Sequence, residues 1–240
     1  MVETILQRLE AERNPEALAG MARFGITPAR AYGVKIPVLR QLAREARVKA
    51  REARSKDKVA DHALAQQLWA NDTRETRILA SMIDVPQLVS EAQMESWAAE
   101  FDYWEICDQC CQNLFEKTPF AYQKAVEWSE RAEEYVKRAG FVLMARLAVS
   151  DKKAADERFV AFFPPIEREA GDPRDMVKKG VNWALRQIGK RNLALNQQAI
   201  TVAERIEQQE SKAARWVARD ALRELRGTAV QTRLKARARG

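Results

Sequence analysis

Apolar residues recur at i, i+3 and i+4 through most of the chain, as in Ile78, Leu79, Met82 and Ile83, and alternating runs of the β type are few. Proline dipeptides punctuate the pattern. Asn14-Pro15, Thr27-Pro28, Ile36-Pro37, Val85-Pro86, Thr118-Pro119, Pro164-Pro165 and Asp172-Pro173 fall mostly between periodic segments. A residue without an N–H suits the first turn of a helix, so these dipeptides read as helix starts. Only nine glycines and eight prolines occur in 240 residues. The pattern predicts an all-α fold.

The helical segments also resemble one another. YVKRAGFVLMARLA, MVKKGVNWALRQIG and WVARDALRELRG each begin with a hydrophobe and valine, then two residues including a cation, then a small-rich apolar helix. Val136, Val177 and Val217 are spaced by about 40 residues, the size of a HEAT-type helix pair. LWANDTRETRILASMID is a looser copy, with Arg77 near the position of Arg138. The expectation is one domain of HEAT-like repeats over 1–226, stacked into a curved solenoid. If the second helix of each pair lines the concave face, Lys137, Arg138, Lys178, Lys179 and Arg219 follow one strip and make that face basic. The end, RELRGTAVQTRLKARARG, is cation-rich; 227–240 reads as a flexible tail, either simply solvated or grazing DNA.

Composition narrows the class. With 46% hydrophobic and 31% charged residues the chain is globular and long enough to bury a core. No apolar run approaches the roughly 20 residues that span a membrane. The opening MVETILQRLEAERNPEAL fits neither a secretory nor a transit peptide. Three cysteines within five positions make no disulfide framework, which points to a reducing cytoplasm. The excess of 41 Lys+Arg over 34 Asp+Glu, a net +7, suggests an anionic partner, most commonly nucleic acid. Neither GxxxxGK[ST] nor GxGxxG occurs, so no nucleotide cofactor is expected. Cys107-x-x-Cys110-Cys111 lacks the second ligand cluster that tetrahedral zinc requires, and His62 is the only histidine. No metal is expected, and the cysteines read as core.

The stretch FDYWEICDQCC carries the first candidate chemistry. Trp104 and Asp108, four apart, share one helix face. Asp108 lies within an apolar run (Ile106, Cys107, Cys110, Leu114), where a carboxylate needs a partner. Arg138 is one candidate, so a structural Asp–Arg pair competes with a catalytic role. Trp69, Trp97, Trp128 and Trp216 read as core. Trp183 differs: Lys179 precedes it by four residues and Arg186 follows by three, so cations occupy both adjacent turns of its face. An aromatic flanked by cations suits contact with a sugar or base beside phosphates.

Taken together these residues resemble the AlkD-type DNA alkylation-repair glycosylases. The matching segments are MAR-F (21–24), GVKIPVLRQL (33–42), LWANDTRETR (68–77), YWEICD (103–108), VKRAGFVL (136–143) and KKGVNWALRQIGKRN (178–192). The resemblance implies excision of cationic alkylated purines, 3-methyladenine and 7-methylguanine, from double-stranded DNA by a cytoplasmic monomer without a cofactor. It places Trp104, Asp108, Arg138 and Trp183 at the active site, with Lys178, Lys179, Arg186, Lys190, Lys137, Lys35, Phe24 and Arg77 toward DNA. No lysine stands out as a Schiff-base nucleophile, so the implied enzyme is monofunctional and leaves an abasic site. The chain departs from its relatives at Phe24, where they carry tyrosine, and at Lys35, where they carry a polar amide. Some relatives with this fold bind DNA without glycosylase activity. A non-catalytic binder of damaged or branched DNA is therefore the alternative, and a protein scaffold, which calls for an apolar or acidic concavity, is the third reading.

Overall fold

The computed structural model describes residues 1–52 and 58–238, with side chains described for all of these except 48–52. Among the described residues every regular element is helical. The first seven helices are α1 (Val2–Ala11), α2 (Pro15–Ala22), α3 (Ile36–Glu52), α4 (Lys58–Ala70), α5 (Arg74–Ile83), α6 (Glu91–Ala99) and α7 (Trp104–Asn113). Then follow α8 (Ala121–Ser129), α9 (Glu134–Ser150), α10 (Asp156–Val160), α11 (Phe163–Glu169), α12 (Asp175–Gly189), α13 (Leu193–Glu207), α14 (Lys212–Leu225) and α15 (Thr228–Arg237). The chain forms two compact units, Met1–Pro119 and Phe120–Gly240, although the apolar pattern shows no break within 1–226.

In the first unit α3, α4 and α7 pack around α5. Thr73 and Thr76 close a capping box at its start, satisfying two amides that the first turn leaves open. Every residue of α5 except Arg77 is buried, including Arg74 and Glu75. Trp69 and Trp97 stack with ring centroids 4.0 Å apart and planes 4° from parallel, and Phe101 and Phe115 pack against them. Both tryptophans are core, as expected. At Gly33 the backbone has φ +80°, and a Cβ there would lie 2.1 Å from the Asn14 carbonyl oxygen. Only glycine lets the 32–34 segment run this close to the start of α2.

The second unit carries the repeat. α8 pairs with α9, α11 with α12 and α13 with α14, and within one layer α12 packs against both α9 and α14. Val136, Val177 and Val217 are all buried, so the recurring valine is a recurring core position. The α8–α9 packing is tight because Gly140 has no side chain: a Cβ would sit 2.5 Å from the Ser129 amide nitrogen and 2.9 Å from the Ala125 carbonyl oxygen. Backbone cannot swing aside as a side-chain tip can. Gly140→Ala is therefore expected to destabilise the fold by about 1–3 kcal/mol, the usual cost of overpacking. Urea denaturation reads this directly, and an unchanged midpoint would contradict the close approach.

Two expectations differ from the structure. Residues 228–237 of the basic end form α15 rather than a tail, with Val230 and Leu234 buried. Its i, i+4 apolar pair is enough to anchor one helix face, and Gln231 Nε2 adds bonds to Asn196 Oδ1 (2.9 Å) and the Leu225 carbonyl (2.7 Å). Residues 239–240 of that end lie outside the described residues. Trp216, expected in the core, is 42% exposed. It stands directly before the buried Val217, and the helical rotation between neighbours turns it outward. Among the described residues no helix is long and apolar enough to cross a membrane.

Candidate nucleic-acid interface

Helix α7 presents two faces. Ile106, Cys107, Cys110 and Cys111 are fully buried, while Trp104 and Asp108, one turn apart, are half-buried. The cysteines are free, and burial pushes the Cys110 thiol well above its ordinary pKa, with the neighbouring Cys107 adding to the shift. These are packing residues. Among the described residues no group of three or more His, Cys, Asp or Glu is placed to hold a metal ion. The only histidine, His62, engages the buried Asp84 through Nδ1 at 2.7 Å.

The direction of α7 is set by a buried charge network that the sequence pattern does not reveal. Arg74 Nε and Nη2 donate to the two Glu105 oxygens at 2.7 and 2.8 Å, and Nη1 donates to Glu75 Oε1 and the Val34 carbonyl, both at 2.9 Å. Glu75 in turn accepts the backbone amides of Tyr32 (2.9 Å), Gly33 (3.0 Å) and Val34 (3.1 Å). Burial works against the Arg74 charge, yet Glu105 and Glu75 more than offset it and raise its pKa. Charged residues in RETR invite a surface reading. The position of Arg74 and Glu75 one turn before Ile78 and Leu79 puts them on the packed side of the helix, while Arg77 is its one residue that is not buried. Because Glu105 immediately follows Trp104, the network holds the first turn of α7 and hence the indole.

Beside that turn lies Phe24, 73% exposed, whose carbonyl accepts the Trp104 indole N–H at 2.8 Å. The structure thus brings together two of the predicted residues, Trp104 and Phe24. Lys35 is exposed just before α3. Arg77 does not stand free as a DNA contact: it pairs with Asp72 (2.9 Å) and Glu100 (2.5 Å) and lies over the Trp69 ring at 5.0 Å. Its place on α5, between two acidic loop residues, explains the difference.

In the second unit Arg138 is buried and donates from Nη1 to the Met176 carbonyl at 2.7 Å, tying α9 to α12. Trp183 is half-buried and Lys179, one turn earlier, is exposed, with an Asp175 oxygen at 3.9 Å. Lys178 pairs with Asp175 at 2.7 Å and reaches over the exposed Trp216 ring at 5.1 Å. The expected strip of cations is only partly present. Lys137 is buried against Glu169 (2.5 Å) and Asp172 (3.8 Å), because its place one residue after Val136 turns it toward α11 and the loop that follows. Arg219 pairs with Glu207. Arg186 and Lys190 converge on Glu224 at 2.5 and 2.7 Å. Burial would raise the Glu224 carboxyl, but hydrogen bonds from these two cations hold it below the ordinary carboxylate range. Five of the expected DNA-facing cations (Arg77, Lys137, Lys178, Arg186 and Lys190) are thus engaged with acids, whereas Lys35 and Lys179 remain exposed to solvent.

One solved structure shares this architecture. The solved structure of a protein from a family related to the HEAT-like repeat DNA glycosylases, with affinity for branched DNA structures, is similar at a TM-score of 0.71. Identity is 15%, over 91% of this chain and 93% of that one. A designed armadillo repeat protein matches with a TM-score of 0.38 and 16% identity, over 78% of this chain and 91% of that one. No curated protein matches the sequence significantly. The all-α architecture is HEAT-like, as the repeated valines predict. The family model for DNA alkylation repair enzymes matches residues 5–225, nearly the whole chain, and the protein belongs to that family.

Proposed function

We propose that the protein is a monofunctional DNA glycosylase that releases cationic alkylated purines from duplex DNA. One observation carries this reading. An indole and a carboxylate stand one turn apart on a helix whose start is fixed by a buried ion network, beside an exposed phenylalanine. Phosphate binding alone has no use for a carboxylate on that face. Alkylation at N3 or N7 gives the purine a positive charge and makes it a good leaving group, so little acid catalysis is needed. The remaining task is to stabilise an oxocarbenium-like sugar as the glycosidic bond breaks. A carboxylate such as Asp108 does this electrostatically and orients the attacking water. The Trp104 ring offers an electron-rich surface to the same developing charge, and the family resemblance gives Trp183 a site role. Arg138 and Lys179 are assigned to phosphates on the strength of that resemblance.

Incubation with methylated duplex DNA tests the reading. Free 3-methyladenine or 7-methylguanine should accumulate, with abasic sites that break only on later alkali treatment. Absence of released base, together with tight binding to four-way junctions, would favour a second reading: a non-catalytic binder of the kind suggested by the branched-DNA affinity of the similar solved protein.

A further inference from the structure

Most cations in the second unit are already engaged by acids: Lys137, Lys178, Arg186, Lys190 and Arg219 each face a carboxylate. Positive charge without such partners is found at a cleft of about 380 Å³, where Lys152, Arg191, Arg233 and Arg237 join the lining beside Lys190, itself paired with Glu224. The ends of α9 and α12, the loop after α9, and α15 supply its walls.

The cleft is constructed rather than accidental. Arg191 lies over the Phe159 ring at 3.8 Å and donates from Nη1 to the carbonyls of Ala148 (2.8 Å) and Asp151 (2.9 Å), and from Nη2 to that of Ala154 (3.3 Å). It thereby caps carbonyls at the negative end of α9, which would otherwise repel an anion. Asp156 is the only carboxylate in the lining. Both of its oxygens accept from Asn192 Nδ2, at 2.9 and 2.8 Å, while Asn192 Oδ1 caps α13. Gln231 seats α15 on Asn196 and the Leu225 carbonyl, which brings Arg233 and Arg237 to the rim. Lys152, Arg233 and Arg237 are exposed, and their side chains make no hydrogen bond or ion pair with any described residue. Arg233 also lines an adjoining hollow of about 430 Å³, which holds the Lys190–Glu224 pair as well.

We propose that this cleft binds the phosphodiester backbone of DNA, as a contact region made of residues other than those of α7, with α15 as its charge-bearing wall. It rests on the DNA-directed reading above but not on excision. Two features favour backbone over a mononucleotide. Among the described residues no aromatic ring is in the cleft lining, and the nearby Phe159 is buried and covered by Arg191, so no stacking surface is offered to a base. The three free cations are long, solvent-exposed side chains, which suit repeated phosphates whose counterions are released on binding.

The test compares two triple variants on undamaged duplex DNA. Lys152→Ala/Arg233→Ala/Arg237→Ala removes the free rim charges. Lys153→Ala/Lys212→Ala/Lys235→Ala removes equal charge at exposed lysines outside the cleft lining. Arg191 is left intact because it holds the loop. Each phosphate that is no longer neutralised lowers the slope of log affinity against log salt by about 0.9, so the cleft variant should lose roughly 2–3 units of slope. The control should lose less than half as much. Equal losses in the two variants, or an unchanged slope in the cleft variant, overturn the proposal. So does tight calorimetric binding of inorganic phosphate by the wild type that the cleft variant lacks, if duplex affinity is the same in both. Loss of excision with the slope difference intact would defeat only the glycosylase reading.

Discussion

Glu75→Ala is expected to be the most destabilising single change in the first unit, costing about 3–5 kcal/mol, the range for leaving a buried ionic partner unmatched. The Glu75 carboxylate is fully buried and receives three consecutive backbone amides, from Tyr32, Gly33 and Val34, as well as Arg74. Alanine leaves those amides without their acceptor, and an unpaired buried donor costs about 1–3 kcal/mol. Arg74 would keep Glu105 but lose half its counter-charge. Domains of this size are commonly stable by only about 5–15 kcal/mol, so the variant should unfold at much lower denaturant. Glu75→Gln restores hydrogen-bonding shape without charge and should recover part of the stability. A shift below about 1 kcal/mol for Glu75→Ala would mean that the network is not structural.

That network marks where the sequence stops being informative. The all-α class follows from apolar spacing and from prolines at helix starts, and the repeated valine does mark a recurring buried position. The faces of the cations do not follow as readily. Lys137 and Lys179 both lie within two residues of a repeat valine, yet the first is buried against Glu169 and the second is exposed. Helical period gives their angle around the axis, but which neighbour stands there depends on packing against α11 and α12. Trp216 shows the same gap: its side chain reads as core, and only its place before Val217 turns it out beneath Lys178. Arg74, Glu75 and Glu105 escape a sequence reading for the opposite reason, since charged residues are seldom buried without partners and those partners come from distant segments. The basic end reads as a tail because it is cation-rich, although Val230 and Leu234 suffice to seat a helix.

The α7 pair is the more legible part of the candidate site. Its i, i+4 spacing survives in the structure, with Trp104 and Asp108 half-buried on the side away from the cysteines. The indole hydrogen bond to the Phe24 carbonyl is not legible, because the two residues are far apart in sequence. Phe24 supplies its carbonyl whatever its side chain, so the tyrosine hydroxyl missing at this position is not what holds Trp104.

The proposed chemistry depends above all on Asp108. Asparagine preserves the size of the side chain and most of its hydrogen-bonding shape while removing the charge. If the carboxylate stabilises a cationic transition state, single-turnover excision should fall by roughly 10² or more, about 3 kcal/mol of barrier. Affinity for duplex DNA should hold or rise, since a negative charge facing a polyanion is gone. Thermal unfolding run in parallel separates chemistry from structure, because a merely structural role predicts loss of stability with activity falling in step. The decisive measurement is single-turnover release of 7-methylguanine from methylated duplex DNA by the wild type and by Asp108→Asn at saturating enzyme. The expected result is a rate at least about a hundredfold lower in a variant that melts and binds DNA like the wild type; an equal rate in a well-folded variant would contradict the catalytic assignment.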